Sequence, residues 1–179
     1  MKPRIVIIGA GGHGKVLCEG IIAEGKYELI GFVDHSIAVG TKVIFDYKVI
    51  LSESEMDKLS TLADFFIIGI GNNKTRAKLF RELSKILKPA TIIHPSAIIS
   101  KSAVLNNGSV CLANTVMNAN SIVGENTIVN SGVIIDHECT IGSHVHLSIG
   151  TMVGSNSVVE DFSTTPIGAN INPFSKLLN

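Results

Sequence analysis

Residues 93–164 read, in blocks of six, IHPSAI ISKSAV LNNGSV CLANTV MNANSI VGENTI VNSGVI IDHECT IGSHVH LSIGTM VGSNSV VEDFST. An apolar residue opens every block: Ile93, Ile99, Leu105, Cys111, Met117, Val123, Val129, Ile135, Ile141, Leu147, Val153 and Val159. A small or β-branched residue stands fifth, from Ala97 and Ala103 to Ser157 and Ser163. An unbroken six-residue period is the mark of a parallel β-helix, in which three blocks make one coil. The first and fifth positions then point inward. The fourth falls at a corner, where a left-handed backbone is needed, and it is mostly Gly or Asn. Alternation turns the sixth outward. That column is rich in Val and Ile, which predicts an exposed apolar stripe and contacts between copies of the chain, three copies for a three-faced rod.

The pattern breaks most densely at Asp136-His137-Glu138-Cys139 and His144-Val145-His146. Glu138 and His144 stand at corners that elsewhere hold Gly or Asn, and His146 interrupts the outward column. Local rules are broken most often at functional or strained sites. Three uses of these residues stay open. His137 suits a general base at neutral pH, with Glu138 or Asp136 orienting its ring. His137, His144 and His146 match a three-histidine zinc site in residue type, without a strong ligand spacing. All three also suit plain surface histidines.

The first ninety residues follow other rules. Apolar Ile5–Ile8, Leu29–Val33 and Phe65–Ile70 read as strands, and helical stretches follow the first and third. Residues 35–60 are expected to be irregular apart from a short helix near 53–59, and another helix over 74–87 is closed by Lys88-Pro89. Strands alternating with helices predict a small parallel, Rossmann-like α/β domain over 1–90, followed by a β-helix domain over 91–179. Gly9, Gly11 and Gly14 fit the G-x-G-x-x-G pattern between a strand and a helix, where backbone N–H groups can hold phosphate. Asp34 ends the next strand and is placed to bond a ribose. Asn72 and Asn73, on the same rim, are candidate ligand donors or helix caps. Arg76 is a candidate phosphate partner or a solvated helix residue. A nucleotide diphosphate, such as a nucleotide sugar, suits this domain better than a nicotinamide.

The chain has 179 residues and a formal net charge of zero, which offers no electrostatic footprint for nucleic acid or an anionic membrane. Its three cysteines are scattered. Cys111 and Cys139 fall on inward positions, as buried small side chains in a reducing cytoplasm. No signal peptide or spanning segment is evident.

Five ordered segments carry a resemblance: Gly9-Ala10-Gly11-Gly12-His13-Gly14-Lys15, Phe32-Val33-Asp34, Gly69-Ile70-Gly71-Asn72-Asn73, Ile93-His94-Pro95-Ser96-Ala97 and Asp136-His137-Glu138-Cys139-Thr140-Ile141-Gly142. Over about residues 3–171 the sequence resembles the bacterial hexapeptide-repeat sugar acyltransferases, of the sialic-acid O-acetyltransferase and UDP-4-amino-sugar N-acetyltransferase group. The resemblance implies a left-handed β-helix, against the usual right-handed crossover. It implies a cytoplasmic homotrimer with active sites between subunits. It implies transfer of an acetyl group from acetyl-CoA, without a metal, to an amine or hydroxyl of a UDP-amino sugar or related acceptor in glycan biosynthesis. His137 matches the general base and Glu138 its partner. Gly11, Gly12, His13, Gly14, Asp34, Asn72 and Asn73 match the nucleotide-sugar site, and Asn130 a residue near the sugar. His146, Ser155 and Ile167 match the acetyl-CoA site. Members of this group usually run on for another coil and a Gly-Asn-Pro-Ala-Lys type ending. The expectation here is therefore a C-terminally shortened rod, with Phe174, Leu177 and Leu178 folded over its end. The alternative reading is a weakly active relative that only binds nucleotide sugar.

Overall fold

The computed structural model describes residues 1–178. It divides into two compact units, residues 1–90 and the chain from Thr91 onward.

The first unit is a six-stranded sheet. Its elements are β1 (Arg4–Ile8), α1 (Gly12–Glu24), β2 (Glu28–Asp34), β3 (Lys42–Ile44), β4 (Tyr47–Ser52), a 3-10 turn (Glu53–Lys58) running into α2 (Leu59–Leu62), β5 (Phe65–Ile68), α3 (Asn73–Leu83) and β6 (Lys88–Pro89). The strand order is β3-β4-β2-β1-β5-β6, and only the β3–β4 pair is antiparallel. β1 lies at the centre with both faces covered, so Ile5, Val6, Ile7 and Ile8 are all buried. That is why it reads as a continuous apolar run and not as an alternating one. The chain leaves β1 toward β2 on one side and returns to β5 on the other. The carboxyl ends of these strands therefore flank a topological switch point, where ligands of such sheets bind. Three features differ from the sequence reading. The β3–β4 hairpin falls in a stretch expected to be irregular, α3 stops at Leu83, and Lys88-Pro89 is an edge strand on β5.

The second unit is a left-handed parallel β-helix. Two-residue strands pair in parallel with strands eighteen residues away: Val110 with Ile128 and Ile128 with His146, Ile134 with Met152, Thr140 with Val158. They form three sheets. The first block positions fill the interior, and Cys111, Met117, Val123, Val129, Ile135 and Leu147 are fully buried. Small fifth-position hydroxyls satisfy corner carbonyls that the interior would otherwise strand. Ser121 Oγ donates to Asn118 O at 2.7 Å, and Thr151 Oγ1 to Ser148 O at 2.8 Å. Corners from Gly108 to Phe174 are left-handed, with φ of 58° at Glu138 and 59° at His144. The outward column is exposed at Ile98, Val104, Ile122, Ile134, Met152 and Val158, but Val110 and Ile128 are buried. The expected exposed stripe thus holds on two faces and not on the third. Phe174 and Leu177 do not fold across the rod. Phe174 takes a left-handed corner and Leu177 pairs beside Val159, so both continue the coil, and Leu178 is exposed.

Candidate active site

In the N-terminal unit a cleft of about 550 Å³ opens at the switch point. Gly9, Gly11, Gly12 and His13 line one rim, Asp34, His35 and Ser36 a second, and Gly69, Ile70, Gly71 and Thr75 a third. The glycines divide by role. Gly9 has φ of 101°, and a Cβ on Gly14 would lie 2.1 Å from Gly9 O, so these two make the tight turn itself. Gly11 and Gly12 face open space. Gly11 is the N-cap of α1 and no side chain caps it, which leaves backbone donors at the helix start for an anion.

Asp34, the expected ribose acceptor, lies in the cleft lining and is held by backbone donors. Its Oδ2 accepts from Ala10 N–H at 2.8 Å, while Oδ1 accepts from Ser36 N–H and Oγ, each at 2.8 Å, and from Ile37 N–H at 3.1 Å. Partial burial pushes its pKa up, but these bonds, Ala10 N–H first, outweigh burial and hold the carboxyl below its ordinary value. Asp34 ties the glycine loop to the 34–37 turn. Asn72 caps α3, its Oδ1 accepting from Thr75 N–H at 3.0 Å. Asn73 is buried and its Oδ1 accepts from Arg76 at 2.7 Å. Neither asparagine is among the residues lining the cleft. Arg76 is neither solvated nor in the cleft: it is 1% exposed, and burial lowers its pKa to about 10, so it remains a cation at neutral pH.

In the β-helix, His137 and Glu138 sit together on an exposed corner. His137 Nδ1 lies 3.4 Å from Glu138 Oε2, and about half of each side chain is exposed. Adjacent residues of a strand would diverge, but the left-handed φ of Glu138 turns its carboxylate back to the ring. Asp136 Oδ1 accepts from His137 N–H at 2.8 Å and from Asn118 Nδ2 at 3.1 Å. These bonds, the His137 N–H first, hold the Asp136 carboxyl below its ordinary value. Ser155 lies one coil along from His137, where Asn156 N–H donates to His137 O.

The run from Asp136 to His146 does not form one cluster. A chain that turns a corner every six residues carries residues seven to nine apart onto different sides. His144 occupies the next corner and is buried, 2.9 Å from Asn126 and against the Phe162 ring at a centroid distance of 4.9 Å. His146 lies on another face, its Nε2 3.3 Å from Asn130 Nδ2. Among the described residues no three His, Cys, Asp or Glu side chains gather to hold a metal ion. Ile167 is strongly exposed, beside the corner at Gly168.

Residues 4–83 match the family model of the PglD N-terminal domain. No curated protein matches the sequence. Among solved structures, the acetyltransferase domain of PglB from Neisseria gonorrhoeae FA1090, in complex with acetyl coenzyme A, aligns with a TM-score of 0.78 at 29% identity, over 96% of this chain and 94% of that one. A histidine-to-asparagine variant of perosamine N-acetyltransferase from Caulobacter crescentus, in complex with CoA and GDP-perosamine, aligns with a TM-score of 0.76 at 27% identity, over 96% and 84%. The sequence and fold are thus similar to those of bacterial hexapeptide-repeat sugar acetyltransferases. WeeI from Acinetobacter baumannii AYE, at 22% identity and a TM-score of 0.65, shares the fold. The glycine loop and the His137–Glu138 corner were both marked by sequence. The carboxylate–amide tie of Asp136 to His137, and the buried role of Arg76, have no sequence signature beyond residue type.

Proposed function

We propose that the protein transfers the acetyl group of acetyl-CoA to the amino group of a nucleotide-linked sugar, with His137 as general base. The observation that carries this reading is the exposed His137–Glu138 pair on a left-handed corner, in a chain of acetyltransferase type. The similar perosamine N-acetyltransferase, in complex with CoA and GDP-perosamine, and the similar PglB acetyltransferase domain, in complex with acetyl coenzyme A, support the two substrate classes. Asp136 anchors the His137 backbone, and Glu138 accepts from the ring N–H at Nδ1, which leaves Nε2 as the acceptor of a proton. The amine nitrogen attacks the thioester carbonyl carbon directly. Its proton passes to His137, and the CoA thiolate leaves. A donor such as His146 or a backbone N–H stabilises the oxyanion.

In this reading residues 1–90 bind the nucleotide part of the acceptor, through Gly11, Gly12, His13 and Gly14. Asn130 serves the sugar, and His146, Ser155 and Ile167 serve the acetyl donor. Because a single chain holds His137 and His146 on different faces, the active protein is a homotrimer in which neighbours complete each site. The exposed Val and Ile columns support that assembly. Three buried free cysteines support a reducing, cytoplasmic setting, with the product destined for a bacterial glycan. Among the described residues no helix is long and apolar enough to cross a membrane. Thiol release from acetyl-CoA with UDP- and GDP-linked amino sugars tests the proposal. Release with one such acceptor, and none with nucleotide alone, is the expected result. Release with no acceptor of either kind contradicts it.

A further inference from the structure

The rim of the nucleotide cleft at Gly69–Gly71 is held from behind by a buried cation. One guanidinium nitrogen of Arg76, Nη1, donates to Gly71 O at 2.9 Å and to Ile70 O at 3.2 Å, and the other, Nη2, to Asn73 Oδ1 at 2.7 Å. Arg76 itself is one turn into α3 and 1% exposed. Burying a guanidinium is expensive, and a helix cap of this kind does not need one, since Asn72 already caps α3. The side chain therefore serves the loop.

The consequence follows from peptide geometry. Among the described residues no peptide bond is cis, and across a trans peptide the N–H points opposite to the carbonyl. Pinning the carbonyls of Ile70 and Gly71 onto Arg76 turns the N–H groups of Gly71 and Asn72 away from it. Among the described residues, neither N–H donates to a protein group. Gly71 lines the cleft, and its lack of a side chain leaves that approach open. Across the cleft stand Gly11 and Gly12, with open space above them.

We propose that Arg76 is a positioning residue for nucleotide binding: it orients the amide of Gly71, which lines the cleft, and the adjoining amide of Asn72 at its edge, as a second set of donors to the phosphates of the acceptor. The Asn72 and Asn73 side chains, which the sequence singled out, serve the loop's own structure instead. This inference rests on the nucleotide-sugar reading of the cleft. A planar fork reaches three oxygens in fixed directions, and a lysine ammonium of shorter reach does not reproduce that geometry although it keeps the charge.

The test uses the full chain labelled with nitrogen-15, titrated with UDP and then GDP, beside steady-state kinetics of Arg76→Lys. The amides of Gly71 and Asn72 are expected to shift together with those of Gly11 and Gly12. Arg76→Lys is expected to raise KM for the nucleotide sugar about tenfold, the effect of one lost charge-assisted bond. Its kcat and its KM for acetyl-CoA should stay within about twofold, which a merely destabilised fold would not produce. If Gly11 and Gly12 shift while Gly71 and Asn72 stay still, the inference is overturned and the nucleotide reading stands. If no cleft amide responds to either nucleotide, that reading falls, and this inference with it. If Arg76→Lys lowers all kinetic parameters alike, in step with its melting temperature, Arg76 is structural only. The wild-type titration decides the matter even where the variant does not fold.

Discussion

At the scale of single residues, the proposed chemistry depends on a side chain whose backbone conformation is unfavourable for it. Glutamate in the left-handed region is costly, and asparagine tolerates it better. Glu138→Asn should therefore keep or slightly raise the melting temperature. It should also slow acetyl transfer by about 10–10²-fold through loss of the orienting carboxylate, less than the loss of the base itself. Unchanged turnover would remove Glu138 from the mechanism. The residue made a poor corner by sequence standards, and that misfit is what made it legible. The tie of Asp136 to the His137 N–H and the burial of Arg76 gave no such signal, because a carboxylate on a backbone N–H and a buried guanidinium depend on neighbours that only folding supplies. Asp34 bears on pH. Its folded pKa lies below the ordinary 3.8, so its contribution to stability is full above that value and is lost as pH falls through the folded pKa. Denaturant unfolding should show Asp34→Asn clearly weaker than wild type at pH 7, with the gap closing below about pH 4. A gap that persists in acid would place the effect in packing and not in the carboxylate.

At the scale of elements, the glycine loop separates folding from binding. A methyl group on Gly14 would meet Gly9 O at 2.1 Å, so Gly14→Ala should cost about 3 kcal/mol of stability. A methyl on Gly12 meets nothing within 4 Å. Gly12→Ala should keep the melting temperature and weaken nucleotide binding, since the backbone can no longer approach phosphate closely. Thermal melts with titration of UDP and GDP check both, and equal destabilisation by the two substitutions would contradict the division. The solenoid was legible because each block repeats the same steric demand, so twelve copies of a weak signal add up. The β3–β4 hairpin was not. Its left-handed turn residue is Phe45, with φ of 50°, where Gly or Asn would have marked the turn. The helix α3 was read too long because its apolar spacing runs on past Leu83 through Ile86 and Leu87, in turns that still place Leu87 N–H on Leu83 O at 2.9 Å.

At the scale of the whole molecule, two observations support the proposed assembly: exposed apolar columns on two faces, and His137 held away from His146. Sedimentation equilibrium should give the mass of three chains, and a monomer with full activity would contradict shared sites. Sequence order placed the histidines together, but the coil geometry separates them, since contact in a solenoid follows the eighteen-residue coil and not the linear distance. The central claim is histidine-dependent acetyl transfer to a nucleotide amino sugar. The measurement that tests it most directly is thiol release from acetyl-CoA, with wild type and His137→Ala run side by side on UDP- and GDP-linked amino sugars. The expected result is release by wild type with one acceptor, reduced about 10²–10⁴-fold in His137→Ala. Equal turnover by the two proteins, or no release by wild type with any acceptor of this class, would contradict the account.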